Sequence, residues 1–301
     1  MLPGVSGRPF RPVAGGCLTV LGIPDGNRSL TVGGSVTVAL ISQGLVSRAR
    51  KRAGEFPKTV KHPWPADGIV RAARRDNLGA MKQREILSQI IGIGIVPVVR
   101  TSSAETAIRA IEAIYRGGVR AAEITMTVPG AVRALEKIAD QFGDKIVLGA
   151  GTVLDPETAR ICMLAGAEFL VTPSLKRATI EIAKRYAKVV CPGALTPTEV
   201  LTAWEAGADV VKIFPCGNVG GPKYIKALKG PFPQIEMIPT GGVNLETAGE
   251  FLKAGACAVA VGGELVDAKL IREGRYDLIE EKARQYLAAI GKARAEMGEP
   301  G

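Results

Sequence analysis

One phrase recurs along the chain and restricts the folds that it can adopt: an Ala-Gly-Ala step that leads directly into an apolar run. It occurs as LAGAEFLVTP at 164–173, EAGADVVKIFP at 205–215 and KAGACAVAVGG at 253–263. Glycine just after a helical pattern marks a helix C-terminus, and a short apolar run bounded by Gly or Pro indicates a buried strand. Each phrase therefore predicts a helix that ends immediately before a strand, which is the connection of an alternating α/β protein.

The same alternation extends from Met81 to the end of the chain. The predicted strands are 94–100, 121–126, 145–151, 168–173, 188–193, 209–215, 235–242 and 257–263. Amphipathic helical patterns separate them, with Ser103, Asp155, Thr196 and Asn244 in N-cap positions. Eight such units, spaced by roughly 25 residues, predict an α/β protein of the (β/α)8 TIM barrel type, with a leading helix from Met81 and a closing helix over 276–293. An open doubly wound sheet is the structural alternative, although no GxGxxG turn follows the first strand.

Residues 1–80 differ from the rest in composition and charge. They contain 12 Lys and Arg against 4 Asp and Glu, whereas residues 81–301 contain 27 against 25. They are rich in Gly, Pro and Arg, and only SLTVGGSVTVALISQGLV offers one or two weak strands. We expect either a poorly ordered basic extension or a translation start assigned upstream of the natural one at Met81. A third alternative is an organelle transit peptide, because the segment is rich in Arg and poor in acids. Because the net charge of +10 is concentrated there, it does not favour a nucleic-acid partner for the predicted barrel.

Two further features bear on the compartment. No run approaches the ~18 continuous apolar residues of a membrane span, so no membrane association is expected. Five cysteines form no CxxC pair, and such unpaired cysteines are typical of reduced thiols in a cytoplasmic protein.

In a TIM barrel the active-site residues lie at the C-terminal strand ends. These ends contain one lysine inside an apolar strand, Lys212, one acid, Glu123, and one arginine, Arg100. The single histidine, His62, lies in the extension, so the predicted barrel has no His-ligated zinc site and no Ser-His-Asp triad. A carboxylate magnesium site needs several clustered acids, and only Glu123 is well placed. We therefore predict no metal and no organic cofactor.

A lysine in one strand and a carboxylate in another are sufficient for Schiff-base chemistry. Loss of hydration disfavours a charged ammonium, so a fraction of a buried lysine is the free amine that attacks a ketone. A carboxylate such as Glu123 then transfers protons among the adduct, water and a substrate hydroxyl. The alternative is structural: an ion pair between Lys212 and Glu123, or a lysine whose stem extends toward solvent.

The same residues lie in segments that closely resemble the family of 2-keto-3-deoxy-6-phosphogluconate (KDPG) and 4-hydroxy-2-oxoglutarate (KHG) aldolases. In chain order, the segments are RAAEITMTVPGA, VLGAGTVLDPE, LVTPSL, VVKIFPCGNVGGP, KGPFP, IPTGGVN and VGGELV. The resemblance covers about residues 81–290 and none of 1–80. It implies a barrel lyase that cleaves a 2-keto-4-hydroxy acid into pyruvate and an aldehyde, as in the Entner-Doudoroff route of carbohydrate metabolism. It also implies a cytoplasmic homotrimer.

The resemblance implies roles for individual residues as well. Lys212 would be the Schiff-base lysine and Glu123 the general acid and base. Thr152 and Pro173 match positions that hold the carboxylate and carbonyl region of pyruvate. The remaining matches form a phosphate cradle of backbone N–H groups, although tight turns would also explain them; they are Gly241, Gly242, Gly262 and Gly263.

Two positions depart from the family pattern. Some relatives carry an arginine where EITMTV has Thr127, so Arg100 becomes the candidate for binding the substrate carboxylate, with Thr127 as a polar contact. The last strand often carries a serine that supplements the phosphate site, where this chain has Gly263 followed by Glu264. One lost hydroxyl removes a hydrogen bond and an acid repels phosphate, so phosphorylated and unphosphorylated keto acids both stay open as substrates.

Two other functions also stay open. One is another lysine Schiff-base barrel enzyme, of transaldolase-like or decarboxylating type. The other is a non-catalytic barrel that binds an anion, in which Lys212 and Glu123 simply pair.

Overall fold

A computed structural model describes residues 19–22, 28–32, 36–39 and 66–298, with side chains from residue 79 onward. The chain divides into two compact units, residues 1–65 and 66–301. In the first unit, β1 (Thr19–Gly22), β2 (Arg28–Val32) and β3 (Val36–Ala39) form an antiparallel sheet in that order. The weak strands predicted in this region are thus confirmed at β2 and β3. The expectations of poor order and of a transit peptide, and the single histidine, lie outside the described residues.

The second unit alternates helices and strands. Its helices are α1 (Ala66–Ile93), α2 (Ala104–Arg116), α3 (Ala131–Phe142), α4 (Pro156–Leu164), α5 (Arg177–Arg185), α6 (Pro197–Glu205), α7 (Pro222–Lys229), α8 (Ala248–Lys253), α9 (Ala268–Arg272) and α10 (Tyr276–Met297). Its strands are β4 (Ile95–Val99), β5 (Ala121–Thr125), β6 (Val147–Gly151), β7 (Phe169–Val171), β8 (Val189–Cys191), β9 (Gly193–Ala194), β10 (Val211–Ile213), β11 (Met237–Pro239) and β12 (Val259–Val261). Every predicted strand is present, and Pro192 divides the fifth into β8 and β9 because proline donates no ladder hydrogen bond.

The leading helix is confirmed but begins earlier than predicted. Helix α1 starts at Ala66 and runs continuously past Met81. A division of the chain after residue 80 stays a prediction.

The strands form a curled parallel α/β sheet. One part has the order β12-β4-β5-β6-β7-β8 and the other β11-β10-β9. A single bridge between Thr240 and Ala260 links the region after β11 to β12. Strand β5, which carries Glu123, therefore lies beside β6. Strand β10, which carries Lys212, lies between β9 and β11.

The Ala-Gly-Ala phrases do end helices. Gly166, Gly207 and Gly255 have φ values of 99°, 95° and 102°, a left-handed conformation that glycine adopts at little cost. The alanine after each glycine donates its N–H to the carbonyl five residues earlier, at 3.0–3.1 Å. These bonds satisfy helix-end carbonyls as in a Schellman motif, so the chain turns directly from helix into strand.

Three of the four predicted N-caps are confirmed. The side chains of Ser103, Asp155 and Thr196 each accept the N–H three residues ahead, which supplies a partner to an otherwise unpaired helix-terminal donor. The prediction for Asn244 is wrong, because helix α8 begins at Ala248. The Asn244 side chain instead accepts the N–H groups of residues 246 and 247 in the preceding turn.

Side chains alternate between the two faces of each strand, which produces two buried layers. The larger layer packs between the sheet and the surrounding helices. The second layer, here termed the interior cluster, fills the concave side of the sheet and receives Ile86 and Ile90 from α1. Its other members are Val96, Val98, Ala121, Val147, Phe169, Val171, Val189, Cys191, Val210, Ile238, Ala258 and Ala260. In the portion of the chain that the structure describes, no helix combines the length and apolar character needed to cross a bilayer.

Candidate active site

Lys212 and Glu123 line one cavity inside the sheet. Lys212 lies on β10 and is 7% exposed, and Glu123 lies on β5 and is 1% exposed. The cavity has a volume of about 10 Å³, which is close to the minimum for one water molecule. The other lining residues are Ile90, Val96, Phe169, Val171, Cys191, Ile238, Thr240 and Ala260. The only charged groups of this lining are therefore the two that the sequence singled out.

The Lys212 side chain is held in an apolar environment without an anionic partner. Its backbone N–H donates to Pro192 at 2.9 Å, which anchors the strand. Its Nζ lies 4.9 Å from the centre of the Phe214 ring, a cation–π distance that offsets part of the lost hydration. The ion pair with Glu123, one of the two structural alternatives, does not occur, since neither oxygen of Glu123 has a hydrogen-bond partner within the described part of the chain. For the other alternative, a stem that extends toward solvent, only 7% of Lys212 is exposed.

Burial raises the pKa of the Glu123 carboxyl above its ordinary value, and the positive charges of Lys212 and Arg100 oppose this shift. A buried carboxylate without hydrogen bonds is costly to keep in a folded protein. Such groups concentrate at functional sites, where a raised pKa suits an acid that must both give and take a proton near neutral pH.

Three residues near Lys212 were not singled out as site residues from the sequence, and two of them, Thr240 and Cys191, line its cavity. The Thr240 hydroxyl is buried and, like the Glu123 carboxylate, has no partner within the described residues. Phe214 follows Lys212 by two residues, so strand alternation indicates that both share a face. Cys191 also lines the cavity, and burial raises the pKa of its thiol, which keeps it protonated.

A second, larger pocket adjoins this cavity. Its volume is about 370 Å³, within the range of small-molecule sites. It shares Thr240 and Ala260 with the Lys212 cavity, so the two spaces meet at these side chains. Arg100 and one acid, Glu264, contribute to its lining. The four candidate cradle residues also line it: Gly241, Gly242, Gly262 and Gly263.

The two glycine pairs of this pocket differ in whether the backbone leaves room for a side chain. Gly241 and Gly242 have φ values of 84° and 78°, and a Cβ on Gly242 would lie 2.7 Å from the Cα of Gly217. The Gly217 N–H also donates to the Gly241 carbonyl at 2.8 Å. This pair is therefore required by the backbone, whereas a Cβ on Gly262 or Gly263 would meet nothing within 4 Å.

The other predicted substrate contacts follow β5, β6 and β7 and do not line either space. The Thr127 hydroxyl is 2.8 Å from that of Thr125, which donates to the Val99 carbonyl beside Arg100. Thr152 has a φ of 57°, a costly conformation for a β-branched residue that marks many functional sites. The backbone of Pro173 packs against Gly193, the register partner of Lys212. These three residues therefore follow the C-terminal ends of neighbouring strands, and their contact with substrate stays a prediction.

Comparisons with known proteins find relatives of one kind. The family model described as "Aldolase: KDPG and KHG aldolase" matches residues 86–282. The chain is 37% identical over 203 residues to the 2-dehydro-3-deoxy-6-phosphogalactonate aldolase of Escherichia coli (strain K12), covering 67% of this chain and 95% of the relative. It is 34% identical over 193 residues to the KHG/KDPG aldolase of the same organism, covering 64% and 90%.

A solved structure supports the same grouping. The crystal structure of KDPG aldolase from Legionella pneumophila, with pyruvate captured at low pH as a covalent carbinolamine intermediate, superposes with a TM-score of 0.62 at 29% identity. The match covers 66% of this chain and 96% of that one. The α/β fold with a curled parallel sheet is therefore the one found in KDPG aldolase structures.

Proposed function

The chain belongs to the KDPG and KHG aldolase family and is a class I aldolase of this type, a lyase; on this premise we propose that Lys212 is its Schiff-base nucleophile and Glu123 its general acid and base. One observation carries the assignment. The lysine and an unpartnered carboxylate are the charged groups of a single buried cavity. The covalent carbinolamine with pyruvate named for the Legionella relative supports attack by an amine on the keto acid, and we assign that amine to Lys212.

The reaction follows from these two groups. The Lys212 amine attacks the C2 ketone of the substrate, and Glu123 donates the proton with which the carbinolamine hydroxyl leaves as water. Glu123 then takes the proton of the C4 hydroxyl, the C3–C4 bond breaks, and its electron pair moves into the iminium to form an enamine. After the aldehyde departs, Glu123 returns a proton to C3, and hydrolysis of the iminium frees pyruvate and the amine.

The surrounding residues fit the two ends of such a substrate. We assign the carboxylate of the pyruvyl unit to Arg100, with Thr127, Thr152 and Pro173 as neighbouring contacts, because a charge-assisted pair with arginine is the strong form of carboxylate binding. The distal end of the substrate extends into the pocket of about 370 Å³. Its glycine pairs, Gly241-Gly242 and Gly262-Gly263, offer backbone N–H groups to an anion.

The substrates that we propose are those of the family. KDPG would give pyruvate and glyceraldehyde 3-phosphate, a step of the Entner-Doudoroff route, and KHG would give pyruvate and glyoxylate. Glu264 in the pocket lining disfavours a dianionic phosphate, so relative turnover of the two substrates decides the preference.

We further propose that the curled sheet closes into an eight-stranded barrel. The bridge between Thr240 and Ala260 joins the two parts of the sheet between β11 and β12. At their other ends, the two parts meet at β8 and β9, which are consecutive pieces of one strand interrupted at Pro192. Both features support the (β/α)8 TIM barrel that the alternation predicts.

We also propose a cytoplasmic homo-oligomer, and a trimer by family resemblance. Leu154, Ile161 and Leu164 are exposed large apolar residues at or beside helix α4, and an apolar patch on a protein of this size is suited to association. The four cysteines within the described residues are free thiols, which suits a reducing compartment.

Borohydride trapping tests the central assignment. With pyruvate present, borohydride should fix a three-carbon adduct on the peptide that contains Lys212, and chelators should leave turnover unchanged. Lys212→Ala should lose both adduct and turnover, whereas the control Lys226→Ala, an exposed lysine of α7, should keep both. An adduct on another lysine, or turnover in Lys212→Ala, would contradict the assignment. Analysis of the aldehyde product separates a KDPG or KHG aldolase from transaldolase-like chemistry.

A further inference from the structure

Strand β6 contributes almost no side-chain volume to the inside of the sheet. Its inward-facing positions are Val147, Gly149 and Gly151, and only the valine belongs to the interior cluster. The neighbouring strands fill the space that the two glycines leave. A Cβ on Gly149 would lie 2.2 Å from the ring of Phe169 on β7, and a Cβ on Gly151 would lie 2.3 Å from Oε1 of Glu123 on β5.

The second contact concerns a group that nothing else orients. Both Glu123 oxygens lack hydrogen-bond partners within the described residues, so no donor fixes the direction of the carboxylate. Its Cδ and Cγ lie 2.8 Å and 3.4 Å from the same virtual Cβ, which means that the outer half of the side chain rests where residue 151 would carry a methyl group. The absence of that methyl group decides where the carboxylate can lie.

We propose that Gly151 is a positioning residue for Glu123. Because Gly151 has no side chain, the carboxylate can lie against β6 and face the Lys212 adduct, and both of its oxygens stay free to exchange protons. The inference rests on the proposed function and adds a residue to the machinery of the same site. Gly151 is not among the glycines with positive φ. An alanine at this position therefore changes local contacts without imposing a forbidden backbone conformation.

Gly151→Ala should separate the two halves of the reaction. Lys212 still forms the adduct, so borohydride trapping with pyruvate should reach the wild-type yield at saturation. The displaced carboxylate should lower kcat by roughly a hundredfold, the loss typical of a catalytic group misplaced by about 1 Å. The pH at which kcat reaches half its maximum on the acid side should also move, because the surroundings of the Glu123 carboxyl have changed.

Gly149→Ala is the matched control. It adds the same methyl group to the same face of the same strand, but the atoms displaced belong to Phe169, a ring of the cavity lining that has no proton to exchange. A general packing cost should lower the melting temperature of both variants. The loss of kcat should be larger in Gly151→Ala, and the shifted pH profile should occur in that variant alone. Equal kinetic effects in the two variants would overturn the proposal.

A compensating substitution keeps the test decisive if Gly151→Ala folds poorly. Glu123→Asp shortens the side chain by one methylene and withdraws the carboxylate from the added methyl group. The double variant should then fold. Its kcat should be no more than about threefold below that of Glu123→Asp alone, whereas independent effects of the two substitutions would multiply. Multiplied losses, or a double variant that folds no better than Gly151→Ala, would exclude the proposed contact.

The failure of this inference can be told apart from the failure of the proposed function. If the wild-type protein forms no adduct at Lys212, the proposed function itself fails. If it forms the adduct and Gly151→Ala behaves like Gly149→Ala, only this inference fails.

Discussion

Glu123 illustrates how the burial of a single ionisable residue lowers stability. Burial raises the pKa of its carboxyl. As pH rises, the carboxyl therefore keeps its proton in the folded state to a higher pH than in the unfolded chain. Between the ordinary glutamate pKa, about 4.3, and the raised value, the folded state binds more protons. Its free energy of unfolding therefore falls as pH rises through this window.

Glu123→Gln should remove that pH dependence. The variant should become more stable relative to wild type as pH increases from about 4 towards neutrality, since Gln carries no charge to bury. Melting temperatures of both proteins across this range provide the measurement. At pH 7 the variant should keep the pyruvate adduct and lose about 10²- to 10⁴-fold in turnover, the usual contribution of proton transfer. A constant stability difference at all pH values would show that Glu123 is not a buried ionisable group of this kind.

Arg100 should contribute to binding rather than to proton transfer. It is exposed at the end of β4 and lines the larger pocket. Arg100→Ala should weaken pyruvate binding by about 1.5–3 kcal/mol, roughly ten- to a hundredfold. The concentration of pyruvate that gives half-maximal trapping measures this loss. Arg133→Ala, which removes an exposed arginine on α3, serves as control, and unchanged pyruvate affinity in Arg100→Ala would assign the carboxylate to another group.

At the scale of an element, the loops after β11 and β12 contribute to one pocket with different tolerance to substitution. Gly242→Leu would disturb the contact with Gly217 in addition to any bound anion, so its effects would be ambiguous. Gly263→Val is the cleaner test, because a Cβ at this position meets no atom within 4 Å. It should leave the melting temperature nearly unchanged and raise KM for KDPG at least tenfold more than for KHG. Equal KM changes would show that this loop does not bind the phosphate.

The alternation of helix and strand was predictable because its signals are local. Apolar runs and glycine ends need only neighbours in sequence, and all the predicted strands and the caps at Ser103, Asp155 and Thr196 are confirmed. Asn244 has the right residue type for a cap, but its side chain closes a turn before the helix instead. The same residue type satisfies both structures, so composition alone does not distinguish them.

The candidate site shows where sequence reasoning stops. The positions of Lys212 and Glu123 on their strands follow from period-two alternation. The room for the Glu123 carboxylate does not, since it depends on Gly151 of the adjacent strand and therefore on the register between β5 and β6. The unpartnered hydroxyl of Thr240 likewise becomes visible only when every neighbour of the cavity is known.

At the scale of the whole molecule, the family relationship is confined to part of the chain. The family model begins at residue 86, inside helix α1. Among the residues of this helix whose side chains the structure describes, from 79 onward, Lys82 pairs with Glu168 at 2.9 Å and Gln83 donates to the Lys188 carbonyl at 2.9 Å. Farther along, Ile86 and Ile90 enter the interior cluster. A chain that begins at Met81 retains all four side chains.

A chain beginning at Met81 should therefore fold and cleave substrate like the chain of 301 residues. Its melting temperature should stay within a few degrees, since a change of 1 kcal/mol shifts the midpoint by about 2–4 °C for a domain of this size. Its kcat/KM should be unchanged. A chain beginning at Ile91 is the contrasting variant: it lacks both buried isoleucines, and two such losses at about 2–5 kcal/mol each should leave it unfolded or inactive. A large drop in melting temperature or turnover on truncation to Met81 would instead assign a structural role to the segment before it.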